Sequence, residues 1–187
     1  MVTDPVPTRG SRRKEYERSD KLKSISVPAD DRFQALTIEA ALSSGSTASV
    51  RSACKTFLEE AARFYGVPAP KVRVLAARPL KVYETGSMEL FGDYDLKTYV
   101  IRVWTRTAVR RQVTSFGTFF STLCHEFCHH LDLHLLGLPS SPHTRGFYAR
   151  TADLYHHCRG TAPRPLVWRP FGKGRFRIDW GRMRRTS

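Results

Sequence analysis

Two histidines and a glutamate stand together in the run His125-Glu126-Phe127-Cys128-His129. On a helix, side chains four residues apart lie on the same face one turn apart, so both imidazoles can reach one ion. Zinc accepts imidazole nitrogen and, in hydrolases, commonly has three protein ligands and a water molecule. Glu126 follows the first histidine and can take a proton from that water without binding the metal. The run therefore predicts one zinc ion per chain, with His125 and His129 as ligands and Glu126 as general base.

The third ligand must come from elsewhere in the chain, and three histidines are candidates. His130 and His134 share a helical stripe with Glu126, which turns them away from the face of the proposed metal. His143 lies beyond a turn that contains glycine and proline, where the returning chain can meet the two histidines of the motif. We therefore predict that His143 is the third ligand.

The motif needs a helix to hold it, and the surrounding pattern supplies one. Apolar residues repeat at helical spacing over residues 114–136, at Phe116, Phe120, Leu123, Phe127 and Leu131. Gly137 and Pro139 end this helix, and a second helix is predicted over residues 143–158. This second helix would bring the third ligand to the first two.

The upstream region predicts a helix and a small sheet. A helical pattern covers residues 47–65, and extended patterns cover residues 71–77, 81–83 (with a continuation to 91) and 98–104. Residues 92–95 have the composition of a turn. Because these strands follow one another closely, and parallel crossovers need a dozen or more residues, we expect an antiparallel three-stranded sheet. The predicted fold class is α+β.

The motif, the short loop and His143 followed by Phe147 four residues later resemble the SprT-like metalloprotease domain of the Spartan group. The resemblance covers residues 47–158, within a domain that we place at 36–158. It implies a zinc metallopeptidase that hydrolyses peptide bonds of nucleic-acid-associated or DNA-crosslinked proteins. Thr144 stands where the family usually has glycine, and the chain has no cysteine pair for the zinc ribbon of many members.

The two ends of the chain differ from this domain in composition. Residues 1–35 are predicted to be a disordered basic tail because prolines, Gly10 and scattered charges dominate them. Residues 159–187 contain nine lysines and arginines, one acid and four interleaved aromatics, without the pattern of a regular core element. Such a tail either binds single-stranded nucleic acid or packs its aromatics on the domain. The candidate nucleic-acid-binding residues are Arg164, Trp168, Arg169, Lys173, Arg175, Arg177 and Trp180.

Net charge predicts the partner. The chain has 31 lysines and arginines against 17 acids, which gives a net charge of +14. This charge favours DNA, including single-stranded DNA, as a binding partner in addition to the protein substrate. No apolar run is long enough to span a membrane, so we expect a cytoplasmic protein. Its positive charge is also compatible with association with the nucleoid. The alternative function is a non-enzymatic nucleic-acid-binding protein with a structural or vestigial zinc site.

Three further expectations concern single residues. Asp132 either orients a ligand imidazole or is a solvent-exposed acid. Tyr148, Arg145 and Tyr83 are candidates for stabilising the oxyanion of the reaction. Cys124 and Cys128 are expected to pack in the core rather than to bind metal.

Overall fold

The computed structural model describes residues 1–27, 32–84 and 86–185, and within these ranges it confirms the α+β class. The helices are α1 (Ser11–Lys21), α2 (Arg32–Ser43), α3 (Thr47–Tyr65), α4 (Phe116–His134), α5 (Arg145–Arg159) and α6 (Trp180–Arg185). The strands are β1 (Lys71–Ala77), β2 (Leu80–Tyr83), β3 (Gly86–Glu89), β4 (Gly92–Asp95), β5 (Val100–Arg106), β6 (Trp168–Pro170) and β7 (Phe176–Ile178).

The central sheet is mixed rather than antiparallel, so the predicted strand arrangement is wrong. Strands β1 and β5 run parallel, and β4 pairs antiparallel with the other side of β5. Strands β2 and β3 form a separate hairpin, so the connection from β1 to β5 is long enough for a parallel crossover. The segment predicted as a turn, residues 92–95, is the edge strand β4.

The core lies between this sheet and helices α3 and α4. Val74 of β1 and Val103 of β5 lie opposite each other and are buried. Phe57 of α3 meets Phe120 of α4 edge to face, with ring centroids 5.3 Å apart. Helix α2, which the sequence analysis did not identify, packs on α3 and buries Ile38. All four cysteines are buried free thiols, which confirms core packing for Cys124 and Cys128.

The N-terminal segment is folded onto the domain, which corrects the prediction of a disordered tail for residues 1–27; residues 28–31 lie outside the described ranges. Helix α1 packs against α5 so closely that a Cβ on Gly146 would lie 2.1 Å from the carbonyl oxygen of Ser19. Buried Arg150 of α5 donates to the carbonyl oxygens of Ser19 and Leu22. These hydrogen bonds satisfy backbone carbonyl groups of the segment, whereas its composition had suggested that its backbone would be hydrogen-bonded to water.

The C-terminal segment also belongs to the fold, and the expectation that it lacks a regular core element is wrong. Strands β6 and β7 pair as an antiparallel hairpin, and β7 buries Ile178 in the hydrophobic core. Val2 forms a bridge to Arg177, so the two ends of the described chain meet at β7. Among the described helices, none combines the length and the apolar character that crossing a bilayer would require.

Candidate metal centre

Helix α4 carries the two histidines of the motif on one face. The helix begins after Ser115, whose hydroxyl accepts the N–H of Thr118, and the side chains of Phe120 and Phe127 anchor its buried side. The imidazole rings of His125 and His129 lie one turn apart, with centroids separated by 4.9 Å. The predicted spacing therefore puts both rings at one place.

The third histidine arrives from the loop between α4 and α5. The loop leaves α4 with the N–H of Leu138 donating to the Asp132 carbonyl. It ends at Thr144, whose hydroxyl accepts the N–H of Phe147 and caps α5. Nε2 of His143 lies 3.0 Å from Nε2 of His125 and 3.1 Å from Nε2 of His129. Thr144 is thus the N-cap that fixes the end of this loop.

The three imidazoles form a group that could hold a metal ion. Ligand nitrogens about 2.0–2.1 Å from a tetrahedral zinc ion are separated by roughly 3.3 Å, close to the separations here. Three ring nitrogens aimed at one another repel through their lone pairs unless a cation or protons lie between them. The arrangement thus fits a bound metal, although it does not identify which metal.

Burial keeps the imidazoles of His125 and His129 neutral, and the neutral imidazole is the form that binds a metal ion. Desolvation, and then the charge of His143, lower the pKa of His125 to about 3. Desolvation, and then the charges of the other two histidines, also lower the pKa of His129 well below its usual value. At neutral pH these lone pairs are therefore available without first losing a proton.

The tautomer of His129 is fixed by a chain of hydrogen bonds. Nδ1 of His129 lies 2.7 Å from Oγ of Ser141, and that hydroxyl donates to Oδ2 of Asp132 at 3.0 Å. Because the hydroxyl gives its proton to the carboxylate, its oxygen accepts the proton on Nδ1 of His129. Nε2 is left unprotonated and faces the other two histidines. Asp132 is thus a buried residue that orients the imidazole of His129 through Ser141, and burial excludes the alternative of a solvent-exposed acid.

Glu126 is buried beside the group of histidines and faces strand β4. Its side chain is 5% exposed. A Cβ on Gly92 would lie 2.4 Å from Cγ2 of Thr122 and 2.8 Å from Oε1 of Glu126, so a larger residue here would force these side chains to shift. Desolvation, and then the charge of Asp93, raise the pKa of Glu126 to about 8. A carboxyl group with this pKa holds or releases a proton near neutral pH, as a general base or acid must.

A cleft of about 350 Å³ opens over these groups. It is lined by Asp4, Gly92, Asp93, Tyr94, Leu96, His125, Glu126, His129, Ser140, Ser141 and His143. The predicted general base and the three predicted ligands therefore share one cavity that is open to solvent. Strand β4, the edge strand of the central sheet, forms one side of this cleft.

The remaining histidines of α4 point away from this cleft, as predicted. The Nε2–H of His130 donates to the Pro68 carbonyl, so its Nδ1 accepts from the hydroxyl of Tyr94 at 2.8 Å. His134 packs edge to face on Tyr99, with ring centroids 4.7 Å apart. These two histidines help to hold α4 against the sheet.

The three residues considered for oxyanion stabilisation have other contacts or positions. The hydroxyl of Tyr148 donates to the Val2 carbonyl at 2.9 Å, although its ring lies beside His125 and His143. Arg145 pairs with Asp20, and Tyr83 is exposed on the β2–β3 hairpin. None of these three residues therefore directs its hydroxyl or guanidinium group at the three histidines.

The predicted nucleic-acid-binding residues fall outside this cleft and mostly on the β6–β7 hairpin. Trp168 packs on Tyr148, with ring centroids 5.7 Å apart. The guanidiniums of Arg175 and Arg177 lie 5.1 and 3.9 Å from the ring centre of Phe171. The side chains of Arg164, Arg169, Lys173 and Trp180 are exposed. The hairpin thus carries cations at the surface, while one of the two predicted stacking tryptophans packs on the domain.

Sequence reasoning missed Asp4, Ser141 and Gly92. Asp4 precedes the motif by more than a hundred residues, in a segment whose composition suggested disorder. Ser141 lies in a loop whose path is set by packing, and Gly92 lies in a segment with the composition of a turn. No local pattern distinguishes any of the three.

Comparison of the chain with protein-family models, curated proteins and solved structures found no match.

Proposed function

We propose that the protein is a zinc-dependent peptidase of the SprT-like type, acting on nucleic-acid-associated or DNA-crosslinked proteins. One observation carries the proposal: Nε2 of His125 and Nε2 of His129 lie 3.0 and 3.1 Å from Nε2 of His143, in an open cleft that a buried glutamate also lines. A metal ligand set alone needs no such glutamate.

Zinc is the metal we assign to this site. The ligands are three neutral imidazoles, which suit zinc better than the hard cations that prefer oxygen ligands. A zinc ion bound there would supply Lewis acidity that lowers the pKa of water toward 7 and polarises a substrate carbonyl. Closed structural zinc sites have four protein ligands, whereas three histidines at an open cleft leave a position for substrate.

Glu126 is assigned as the general base and acid. Burial, and then the charge of Asp93, favour its protonated form, and the positive charge of a metal ion held by the three histidines would oppose that effect and favour the carboxylate. It would accept the proton that water loses and deliver it to the amine leaving group. Gly92 leaves no side chain between Glu126 and the edge strand, which keeps this carboxylate accessible from the cleft.

A peptide substrate and a nucleic-acid partner are the further parts of the proposal. The site resembles that of SprT-like peptidases in the order of its ligands and in Phe147. The ring centroid of Phe147 lies 4.5 Å from that of His129. The net charge of +14 and the cationic β6–β7 hairpin support association with DNA. The alternative, a DNA-binding protein with a structural or vestigial zinc site, has no need of Glu126 or of the cleft.

The test combines metal analysis with a proteolysis assay on a DNA-binding protein, with and without single-stranded DNA. We expect about one zinc per chain in the wild type and in Glu126→Gln. Hydrolysis should fall by about 10²–10⁴-fold in the variant, because an amide cannot accept the proton. Glu59→Gln removes the same charge from the surface of α3 and should leave both measurements unchanged. Wild-type hydrolysis in Glu126→Gln would contradict the assignment, and DNA binding without any proteolysis would favour the alternative.

A further inference from the structure

We propose that Asp4 is the positioning residue of His143: its carboxylate accepts the backbone N–H of His143 and lies against the Nδ1 edge of the imidazole, so that Nε2 faces the metal. The inference rests on the proposed metal site and adds to it a residue from the opposite end of the chain.

Asp4 and His143 meet at three points. The N–H of Asp4 donates to the carbonyl of His143 at 2.8 Å. In return the N–H of His143 donates to Oδ2 of Asp4 at 2.9 Å. The second carboxylate oxygen, Oδ1, lies 3.6 Å from Nδ1 of the imidazole. The same side chain therefore fixes the backbone of His143 and lies against its ring.

Asp4 is itself held in place from two sides. The N–H of Thr3 donates to the Phe176 carbonyl at 2.8 Å, and the N–H of Phe176 donates to the Thr3 hydroxyl at 2.9 Å. Tyr16 of α1 donates its hydroxyl to the carbonyl of Asp4 at 3.3 Å. Strand β7 and helix α1 thus determine where the carboxylate lies.

Asp4 lines the cleft but is not placed as a fourth ligand. Its Oδ1 lies near Nδ1, the ring nitrogen that does not face the other histidines, and its Oδ2 accepts the backbone N–H of His143. Both oxygens are therefore directed at His143. A carboxylate against the distal nitrogen of a ligand histidine fixes the tautomer and makes the ligand nitrogen more basic.

The three ligands differ in what supports them. His129 is oriented through Ser141 and Asp132, whereas Nδ1 of His125 is buried and has no hydrogen-bond partner among the described residues. His143 lies on a loop rather than on α4, so it has the most freedom to move without a partner. Asp4 removes that freedom.

The test measures zinc affinity by chelator competition for the wild type, Asp4→Ala and Asp4→Asn, with Glu59→Gln as the matched loss of charge. We expect the dissociation constant to rise by about 10–100-fold in both Asp4 variants and to stay unchanged in the control. A second readout is the visible spectrum of the cobalt-substituted protein, whose ligand-field bands should shift in the Asp4 variants only. The third is the rise in Tm on adding zinc, which should shrink even where the metal-free Tm is unchanged.

A double-mutant cycle separates positioning from general stabilisation. In a His143→Ala background, Asp4→Ala should change the zinc affinity by less than about twofold, because its only route to the metal has been removed. An equal loss in both backgrounds would overturn the inference, as would wild-type affinity and cobalt spectrum in Asp4→Ala. A wild-type protein that binds no zinc would instead overturn the proposed metal site, and with it this role of Asp4.

Discussion

Arg150 of α5 and Asp132 of α4 form an ion pair closed off from solvent: Nη2 lies 2.8 Å from Oδ1, and each side chain is 1% exposed. The second oxygen of Asp132 accepts the hydroxyl of Ser141, which contacts His129. Arg150 also donates to backbone carbonyls at the end of α1. One buried carboxylate therefore connects the packing of three helices to the orientation of His129.

Removing this carboxylate should destabilise the protein strongly. Asp132→Ala leaves the guanidinium of Arg150 buried without its counter-ion, which typically costs about 3–5 kcal/mol. Urea unfolding with the metal chelated should show the loss, with Asp153→Ala as a comparison, since Asp153 is a less buried acid on α5. A change in the free energy of unfolding below about 1 kcal/mol would contradict the importance of the pair.

Ser141→Ala should affect the metal more than the fold. The substitution leaves the Arg150–Asp132 pair in place but removes the acceptor that holds Nδ1–H of His129. Zinc affinity should fall by about 10–100-fold, as for other losses of an outer hydrogen bond to a ligand histidine. Chelator competition measures it, and Ser140→Ala is the neighbouring control. Equal affinities in the two variants would show that Ser141 does not orient the ligand.

The variants His143→Ala and His134→Ala should show which of these two histidines is the third metal ligand. The first removes one of the three converging Nε2 atoms and should lower zinc content well below one per chain. The second removes a ring that packs on Tyr99 and should keep the metal. Metal analysis of both purified proteins decides it. Zinc kept in His143→Ala and lost in His134→Ala would reverse the assignment.

The sequence predicted that His125 and His129 lie together, because their spacing on a helix is a local property. It also predicted α4 and α5 to within a few residues, since their apolar stripes are regular. It did not predict the parallel pairing of β1 with β5, which depends on a long connection being filled by a separate hairpin. The sequence also did not predict that the N-terminal segment is folded, for a related reason. Its polar groups are matched by distant partners such as Arg150, and composition carries no information about those partners.

Asp20 should make stability depend on pH. Burial alone would raise its pKa, but the hydrogen bonds and charge of Arg145 outweigh burial and lower it. A carboxyl group whose pKa is lower in the folded state stabilises the fold above its unfolded pKa. That contribution is lost as the pH falls through the folded pKa. Asp20→Asn should therefore lower the free energy of unfolding at pH 7, by about 1 kcal/mol because Arg145 is partly solvated.

The difference between Asp20→Asn and wild type should shrink as the pH falls below 3.8, the ordinary value for the carboxyl group. Urea unfolding at several pH values, with chelator present throughout, measures it. Glu17→Gln, on the exposed side of the same helix, should show little change. A difference that stayed constant down to the lowest pH would exclude a role for the ionised carboxylate.

The exposed cations of the β6–β7 hairpin should contribute to binding of single-stranded DNA. Removing the hairpin would also remove Ile178 from the core and the partner of Thr3, so point substitutions are the better test. Arg169 and Lys173 are exposed, and changing both to alanine should lower the affinity. If each contacts a phosphate, the slope of log affinity against log salt should flatten by about 0.7 per contact.

The exposed Trp180 should act differently, because a ring that stacks on a base releases no counterions. Trp180→Ala is expected to weaken binding with little change in the salt slope. The control for the cations is Arg51→Ala with Lys55→Ala, two exposed positions on α3. An equal effect of the two pairs would indicate attraction by net charge alone. No effect of the hairpin pair would shift attention to Arg106, at the end of β5, and to Arg110 and Arg111, which lie between β5 and α4.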